Sequence, residues 1–135
     1  MKNRKVFIDS NIFIAFFVKD DTSHEDALDL WSKLKEEEAY LLTSDLVISE
    51  VLTVLRLKAG KKVSIKFGDI VLEKSDVLNI IPITSKLMTL SYEVFKEVKN
   101  KDFSFVDASI IAIGKEFNIE IITFDKILDK VITIK

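Results

Sequence analysis

The sequence predicts an α/β fold, a three-layer α/β/α sandwich around a central, mainly parallel sheet. Short runs rich in β-branched and aromatic residues alternate with longer segments whose apolar residues recur at helical spacing. Glycine and proline are sparse, and no linker or repeat interrupts this alternation. Strands separated by helices need crossover connections, which make neighbouring strands parallel and cover the sheet on both faces.

The predicted strands are short, and most of them end in residues typical of turns or helix caps. The first, for example, runs into Ser10-Asn11, where either side chain could cap a helix that begins at Ile12. The full set comprises Lys5–Asp9, Ala39–Thr43, Val77–Ile83, Ile119–Thr123 and a candidate last strand, Val131–Ile134.

The predicted helices are bounded by capping residues. Thr22-Ser23-His24-Glu25 fits a capping box, Gly60 is a natural C′ glycine, and Asn118 is suited to stop a helix capped by Ser104. The predicted helices are one from Ile12, one after the capping box, one from Ser44-Asp45 to Gly60, Ser64–Lys74, Ser85–Lys99 and Ser104–Phe117.

Length and composition predict one soluble globular domain over residues 1–135. The chain is 48% hydrophobic and 31% charged, which is the balance of a folded globule and not of a disordered segment. It has no cysteine and one histidine, so disulfides, thiolate chemistry and a structural zinc site are excluded. Any bound metal must therefore rely on oxygen ligands.

Targeting signals and a global basic field are not expected. Asp9-Ser10-Asn11 interrupts the apolar start, and the apolar run Ile12–Val18 is far shorter than the about 20 residues that cross a bilayer. We therefore expect a cytoplasmic protein without membrane contact. The net charge is -2, so contact with nucleic acid would need a local patch. Such a patch could be formed by Lys58, Lys61 and Lys62, which could equally be a solvated helix end.

Four carboxylates are candidates for one acidic metal site. Asp9 and Asp125 stand at or just after strand ends, and ligands of open parallel sheets bind at that edge. Glu50 and Asp107 lie in the early turns of helices that can face the same edge. Each pair of like charges costs roughly 4 kcal/mol at 4 Å, so their convergence calls for a divalent cation. Carboxylate oxygens suit Mg²⁺ or Mn²⁺, which points to phosphate chemistry.

Each acid also has a purely structural interpretation, and that alternative stays open at this level. Asp9 could be a turn residue, Glu50 a solvated residue of a polar helix face, Asp107 the acidic partner of Ser104 in a capping box, and Asp125 a cap. The remaining candidates are assigned no function: His24 is expected at the surface and Trp31 in the core.

The residues around each acid resemble the PIN-domain family of ribonucleases. The four segments are VFIDSN at residues 6–11, SEV at 49–51, SFVDA at 104–108 and ITFD at 122–125. Their order and spacing resemble the family's opening strand, helix-borne glutamate, third acidic position and final Thr-x-Asp element. One departure is Leu128, where many members carry phenylalanine.

By size, the chain is similar to the VapC-type toxins within this family. The resemblance implies that Asp9, Glu50 and Asp107 are metal ligands, with Asp125 completing or supporting the site. It implies that Ser10, Asn11 and Thr123 orient these groups or the phosphate. It further implies a Mg²⁺- or Mn²⁺-dependent endoribonuclease that hydrolyses single-stranded RNA, and a cognate antitoxin as its partner.

Other functions remain to be compared with this one. A dinucleotide-binding enzyme needs a glycine-rich turn after the first strand, and an aspartyl phosphatase needs a second aspartate where this chain has Asn11. An RNA-processing PIN nuclease outside a toxin system and a non-catalytic PIN-like interaction module stay as alternatives. A homodimer is also expected, because Ile12–Val18 and Leu46–Leu57 are apolar nearly all round, unless both helices are simply central.

Overall fold

A four-stranded parallel sheet forms the centre of the fold, in the strand order β3-β2-β1-β4. The structure is a computed structural model that describes residues 4–73, 76 and 78–134. Its strands are β1 Lys5–Ile8, β2 Tyr40–Ser44, β3 Asn79–Ile81 and β4 Glu120–Ile122. The predicted parallel α/β architecture is thereby confirmed.

The central strand β1 is covered on both faces. Val6, Phe7 and Ile8 have no exposed surface. Because successive side chains of a strand point to opposite faces, their complete burial requires helices on each side of the sheet. The predicted three-layer arrangement is therefore confirmed.

Seven α-helices surround the sheet in the described part of the chain. The first helix packs against the second and the third, and the third packs against the fourth. The fifth and sixth helices pack against each other. The helices are α1 Ser10–Phe17, α2 His24–Glu36, α3 Asp45–Ala59, α4 Lys61–Gly68, α5 Ser85–Glu97, α6 Phe105–Phe117 and α7 Lys126–Ile134, with a π-helical turn, Asp69–Glu73, after α4.

The predicted strand Val131–Ile134 is wrong, because these residues belong to helix α7. The helix starts on Asp125, whose Oδ1 accepts hydrogen bonds from the backbone N–H groups of Ile127 and Leu128. Leu128 is fully buried and Val131 follows three residues later, which is helical spacing. A short β-branched run at a chain end does not distinguish a strand from a capped helix.

Two helix starts also differ from the prediction. Asp9 caps α1, so the helix begins at Ser10 and neither Ser10 nor Asn11 is its cap. The predicted capping box at Thr22–Glu25 is wrong: Ser23 is the N-cap residue of α2, but its side chain makes no capping bond. Its backbone N–H instead donates to Asp21 Oδ1 at 2.8 Å, an Asx-type turn that competes with the box.

The segment after α3 follows the prediction only in outline. Gly60 ends α3 with a φ of 96°, which confirms the glycine stop. The next helix begins at Lys61, before the predicted Ser64, and gives way after Gly68 to the π-helical turn that ends at Glu73. The predicted end of this helix at Lys74 and the predicted strand start at Val77 lie outside the described residues.

Trp31 and His24 are the two residues to which the sequence assigned a place in the fold but no function. Trp31 is half-buried and packs against the core, with its ring centroid 5.7 Å from that of Phe13 and 6.0 Å from that of Phe16, so its predicted core position is confirmed in part. His24 is half-buried, with Nδ1 2.7 Å from the carbonyl oxygen of Ala15. A carbonyl only accepts, so His24 Nδ1 carries a proton and ties α2 to α1. The expected surface position of His24 is therefore confirmed only in part.

No helix in the described part of the chain combines the length and the apolar character needed to cross a bilayer.

Glu38 carries a conformational strain that a single substitution can relieve. It follows α2 with a φ of 51°, and the bonds from Glu38 N to Lys35 O and from Ala39 N to Leu34 O form a Schellman motif, whose left-handed position favours glycine. We predict that Glu38→Gly raises the free energy of unfolding by about 0.5 to 1 kcal/mol, which denaturant titration measures. Ser32→Gly, at an exposed position inside the same helix, should lower it by about 0.5 kcal/mol. Equal signs for the two variants would contradict this assignment.

Candidate functional site

The carboxyl ends of β1 and β4 bring Asp9 and Asp125 to one edge of the sheet. Asp9 directly follows β1, and its backbone N–H donates to the carbonyl of Ile122 at 3.1 Å, so the two strands are still paired there. Asp125 follows β4 by three residues and caps α7. The predicted edge therefore carries both acids.

The carboxylate of Asp9 is enclosed by donors, with only 3% of the residue exposed. Its Oδ1 accepts from the backbone N–H of Ser10 at 2.6 Å. Its Oδ2 accepts from Thr123 Oγ1 at 2.8 Å and from Asn11 Nδ2 at 3.3 Å. Residues from both strand ends thus hold Asp9.

Glu50 reaches the same neighbourhood from α3, which begins directly after β2. Its Oε2 accepts from Ser10 Oγ at 2.6 Å. The hydroxyl of Ser10 is also 3.3 Å from Asp9 Oδ1, but it has one proton, and the shorter contact takes it. Ser10 therefore lies between the two acids and binds Glu50 through its side chain and Asp9 through its backbone.

Asp107 occupies the third position of α6 and forms a complete capping box with Ser104. Ser104 N donates to Asp107 Oδ2, and Asp107 N donates to Ser104 Oγ, each at 3.0 Å. The structural interpretation of Asp107 as a capping-box residue is thus confirmed, as is that of Asp125 as a cap. Each role uses one carboxylate oxygen, Oδ2 in Asp107 and Oδ1 in Asp125, so these roles do not preclude ligand binding through the other.

The electrostatics link the four acids. The pKa of Asp9 is raised from 3.8 to about 6, because burial and, to a smaller extent, the charges of Asp107 and Glu50 raise it more than the hydrogen bonds from Thr123 and Ser10 lower it. Burial also raises the pKa of Asp107, and the charges of Asp125 and Glu50 act in the same direction. Each of the four predicted acids therefore either feels or exerts repulsion within one cluster.

The donor set fits a hard divalent cation. Within the described residues, no three aspartate, glutamate or histidine side chains are drawn together tightly enough to form a ready cage. Four like charges without a cation repel one another, so such spreading is the expected resting arrangement. Carboxylate oxygens held by the fold, without histidine or cysteine, are the ligands that Mg²⁺ and Mn²⁺ prefer.

The structure also shows contacts that the sequence did not predict. Asn11 and Thr123 were expected near the acids, but their hydrogen bond to each other, 3.0 Å from Nδ2 to Oγ1, had no sequence signal.

The lysines of the candidate basic patch, Lys58, Lys61 and Lys62, are exposed around the junction of α3 and α4. That junction is at the opposite end of α3 from its first residue, Asp45.

Relatives with described activities cover most of the chain. The chain is 25% identical over 115 residues to proteins described as the 23S rRNA-specific endonuclease VapC20, from Mycobacterium tuberculosis strains CDC 1551 and H37Rv. The aligned region is 85% of this chain and 84% of each relative.

Solved structures share the fold. The crystal structure of Mycobacterium tuberculosis VapC20, described as a sarcin–ricin loop cleaving toxin, superposes with a TM-score of 0.84 at 24% identity, over 93% of this chain and 94% of that one. VapBC2 from Rickettsia felis, bound to a DNA fragment from its promoter, gives a TM-score of 0.64 at 18% identity, over 94% and 92%. At these identities the likeness shows a common fold.

The family model of the PIN domain matches residues 6–133. This span includes all four acids and extends from β1 into α7. The chain therefore belongs to the PIN domain family.

Proposed function

We propose that this chain is a divalent-metal-dependent endoribonuclease of the VapC type, the toxin of a toxin–antitoxin pair, acting in the cytoplasm as a single nuclease domain. The observation that carries the proposal is the electrostatic cluster of Asp9, Glu50, Asp107 and Asp125, brought together from four distant segments. Membership of the PIN domain family and likeness to VapC20 support it.

The four carboxylates would hold one or two Mg²⁺ or Mn²⁺ ions. When bound, such an ion activates water and neutralises charge on the scissile phosphate. Asp9 is fixed by three donors, and Glu50 is fixed by Ser10, so these two acids present a rigid pair of oxygens. Asp107 and Asp125 each anchor one oxygen on a helix start, which orients the other.

Unpaired RNA is the proposed substrate. A metal-assisted in-line attack needs the phosphate backbone to bend freely, which single strands and loops allow and a regular duplex resists. The acidic cluster repels the RNA backbone until its charge is compensated, so binding of substrate and of cation should be cooperative.

The first prediction from the proposed function concerns cleavage. Purified protein should cut a single-stranded oligoribonucleotide in Mg²⁺ or Mn²⁺, and excess EDTA should stop the reaction. Asp107→Asn should lower the cleavage rate by on the order of a hundredfold or more, because it removes a charged ligand while keeping an oxygen for the capping box. Gel analysis of labelled RNA measures the rate.

A matched control for this experiment is Asp102→Asn, an exposed aspartate in the loop before α6. It makes the same chemical change five positions away and should cleave like the wild type. Undiminished cleavage in EDTA would exclude the metal mechanism, and full activity of Asp107→Asn would exclude that ligand. Absence of cleavage of any RNA by well-folded protein in either metal would favour the non-catalytic interaction module.

The second prediction concerns the stability of the metal-free protein. A carboxyl whose pKa is higher in the folded state than its unfolded value near 4 does not disfavour folding below pH 4. Above pH 4 its ionisation lowers the free energy of unfolding, and this loss is complete above pH 6. For Asp9 the full penalty is about 3 kcal/mol. In EDTA, lowering the pH from 7 to 5 should therefore stabilise the wild type, and Asp107 acts in the same direction.

Asp9→Asn should lose the Asp9 part of this stabilisation. The measurement is denaturant unfolding of both proteins in EDTA at pH 7 and pH 5, where the difference between the two proteins cancels groups outside the cluster. The comparison uses the pH dependence because the introduced amide would also disturb the donor set around Thr123, which costs on the order of 1 to 3 kcal/mol by itself. Parallel pH dependence in the two proteins would mean that Asp9 is not a strained acid.

A cognate antitoxin is the proposed protein partner, with its docking site on the apolar cavity between α1, α2 and α4. The cavity has a volume of about 260 Å³, and aromatic residues dominate its lining, among them Phe13, Phe16, Phe17 and Trp31. Trp31 Nε1 is buried without a hydrogen-bond partner among the described residues. An apolar antitoxin segment fits these features.

The homodimer is proposed through a different surface from the one first expected. Helix α1 buries Ile12 and Ala15 and directs its phenylalanines at the cavity described above, and α3 buries Val47, Val51 and Leu55. Helix α5 instead exposes Met88, Tyr92 and Phe95 by 45%, 53% and 40%, at a spacing of four and three residues. Such a stripe lies on one side of a helix and supports contact with a second copy.

The third prediction separates these two surfaces. Phe16→Glu should abolish co-purification of the co-expressed protein encoded beside this chain, without changing the dimeric mass of the toxin alone. Tyr92→Glu should make the toxin monomeric without changing co-purification of the partner. Each variant is therefore the control for the other. Light scattering at micromolar concentration measures the mass. A monomeric wild type, or retention of the partner by Phe16→Glu, would contradict the corresponding surface.

A further inference from the structure

The hydroxyl of Thr123 has every hydrogen-bonding position filled. A threonine hydroxyl has one proton and two lone pairs. Asn11 Nδ2 donates to it at 3.0 Å, and the backbone N–H of Asp125 donates to it at 2.9 Å. Because both lone pairs are then occupied, its proton must point to Asp9 Oδ2, which lies 2.8 Å away.

Asn11 is also fully committed in its present orientation. Its Oδ1 accepts from the backbone N–H of Phe124 at 3.0 Å, and a backbone N–H can only donate, so the amide cannot be flipped. Its Nδ2 then faces Thr123 Oγ1 and, at 3.3 Å, Asp9 Oδ2. Thr123 therefore has no donor left for an RNA phosphate, and Asn11 already directs its Nδ2 at two acceptors inside the site.

These bonds connect the two turns that carry Asp9 and Asp125. Asn11 lies in the first turn of α1, which follows β1, and Thr123 directly follows β4. Thr123 Oγ1 donates to the side chain of Asp9 and accepts from the backbone N–H of Asp125. The separation of the two acids is therefore set at this atom.

We propose that Asn11 and Thr123 are positioning residues that fix Asp9 and Asp125 for cation binding, and that neither contacts the RNA. This inference rests on the proposed function, and it decides between the two roles that these side chains could have had. Ser10 differs from them, since its single proton goes to Glu50 while its lone pairs accept no bond from the described residues.

The experiment measures Mn²⁺ binding to folded protein by calorimetry, together with kcat and KM for RNA at saturating Mn²⁺. Thr123→Val removes the hydroxyl at nearly constant shape and should weaken Mn²⁺ binding by about 10- to 100-fold, with KM for RNA unchanged. Thr123→Ser restores the hydroxyl and should bind Mn²⁺ within about threefold of the wild type.

The matched control is Thr43→Val, since Thr43 is a fully buried sheet threonine whose hydroxyl donates to a backbone carbonyl, that of Ile8. It should lower the melting temperature and leave Mn²⁺ affinity within about threefold. If Thr123→Val only lowers the melting temperature in the same way, the residue is structural. If it raises KM for RNA while Mn²⁺ affinity stays constant, it contacts phosphate. Either result overturns the inference.

A double-mutant cycle tests whether Asn11 acts through Thr123. Asn11→Ala with Thr123→Val should lose less Mn²⁺ affinity than the product of the two single losses, because both substitutions break one shared contact. Fully multiplicative losses would contradict the shared role. A wild type that binds no Mn²⁺ would defeat the proposed function and this inference together, whereas equal binding by wild type and Thr123→Val would defeat the inference alone.

Discussion

The buried carboxylate of Asp9 is the constraint around which the rest of the site is built. Removal from water is the largest cause that raises its pKa to about 6, and the charges of Asp107 and Glu50 act in the same direction. The fold compensates with donors from two turns, chiefly Thr123 and the backbone of Ser10. An anion held this way is strained by itself and well prepared for a cation, since the ordering of its side chain is complete before the ion binds.

The same acids also help to start helices. Asp9 caps α1, Asp107 completes the box at α6, and Asp125 caps α7. A carboxylate at a helix start is stabilised by the free N–H groups and by the helix dipole, which offsets part of the repulsion within the cluster. For Asp107 and Asp125 the structural and functional interpretations are therefore compatible, because the two roles can use different oxygens of one carboxylate.

The apolar core fixes the distances on which this arrangement depends. β1 is buried on both faces and is paired with β2 and β4, so the turn that carries Asp9 cannot move relative to the turn that carries Thr123 and Asp125. Helix α3 packs Val47, Val51 and Leu55 into the interior and turns Glu50 toward that edge. Rigid elements place the acids, and short turns supply the donors.

The sequence by itself determined the alternation of strands and helices and the parallel sheet, and it predicted the four acids as site residues, because periodicity, capping residues and strand ends are local properties of the chain. It could not determine that Val131 belongs to a helix, since a β-branched run fits a strand or a helix until Asp125 is seen capping α7. It also could not show that Asn11 and Thr123 share a hydrogen bond across 112 positions of sequence. Such bonds depend on two turns meeting at a sheet edge, which only the packing of strands β1 and β4 against each other decides.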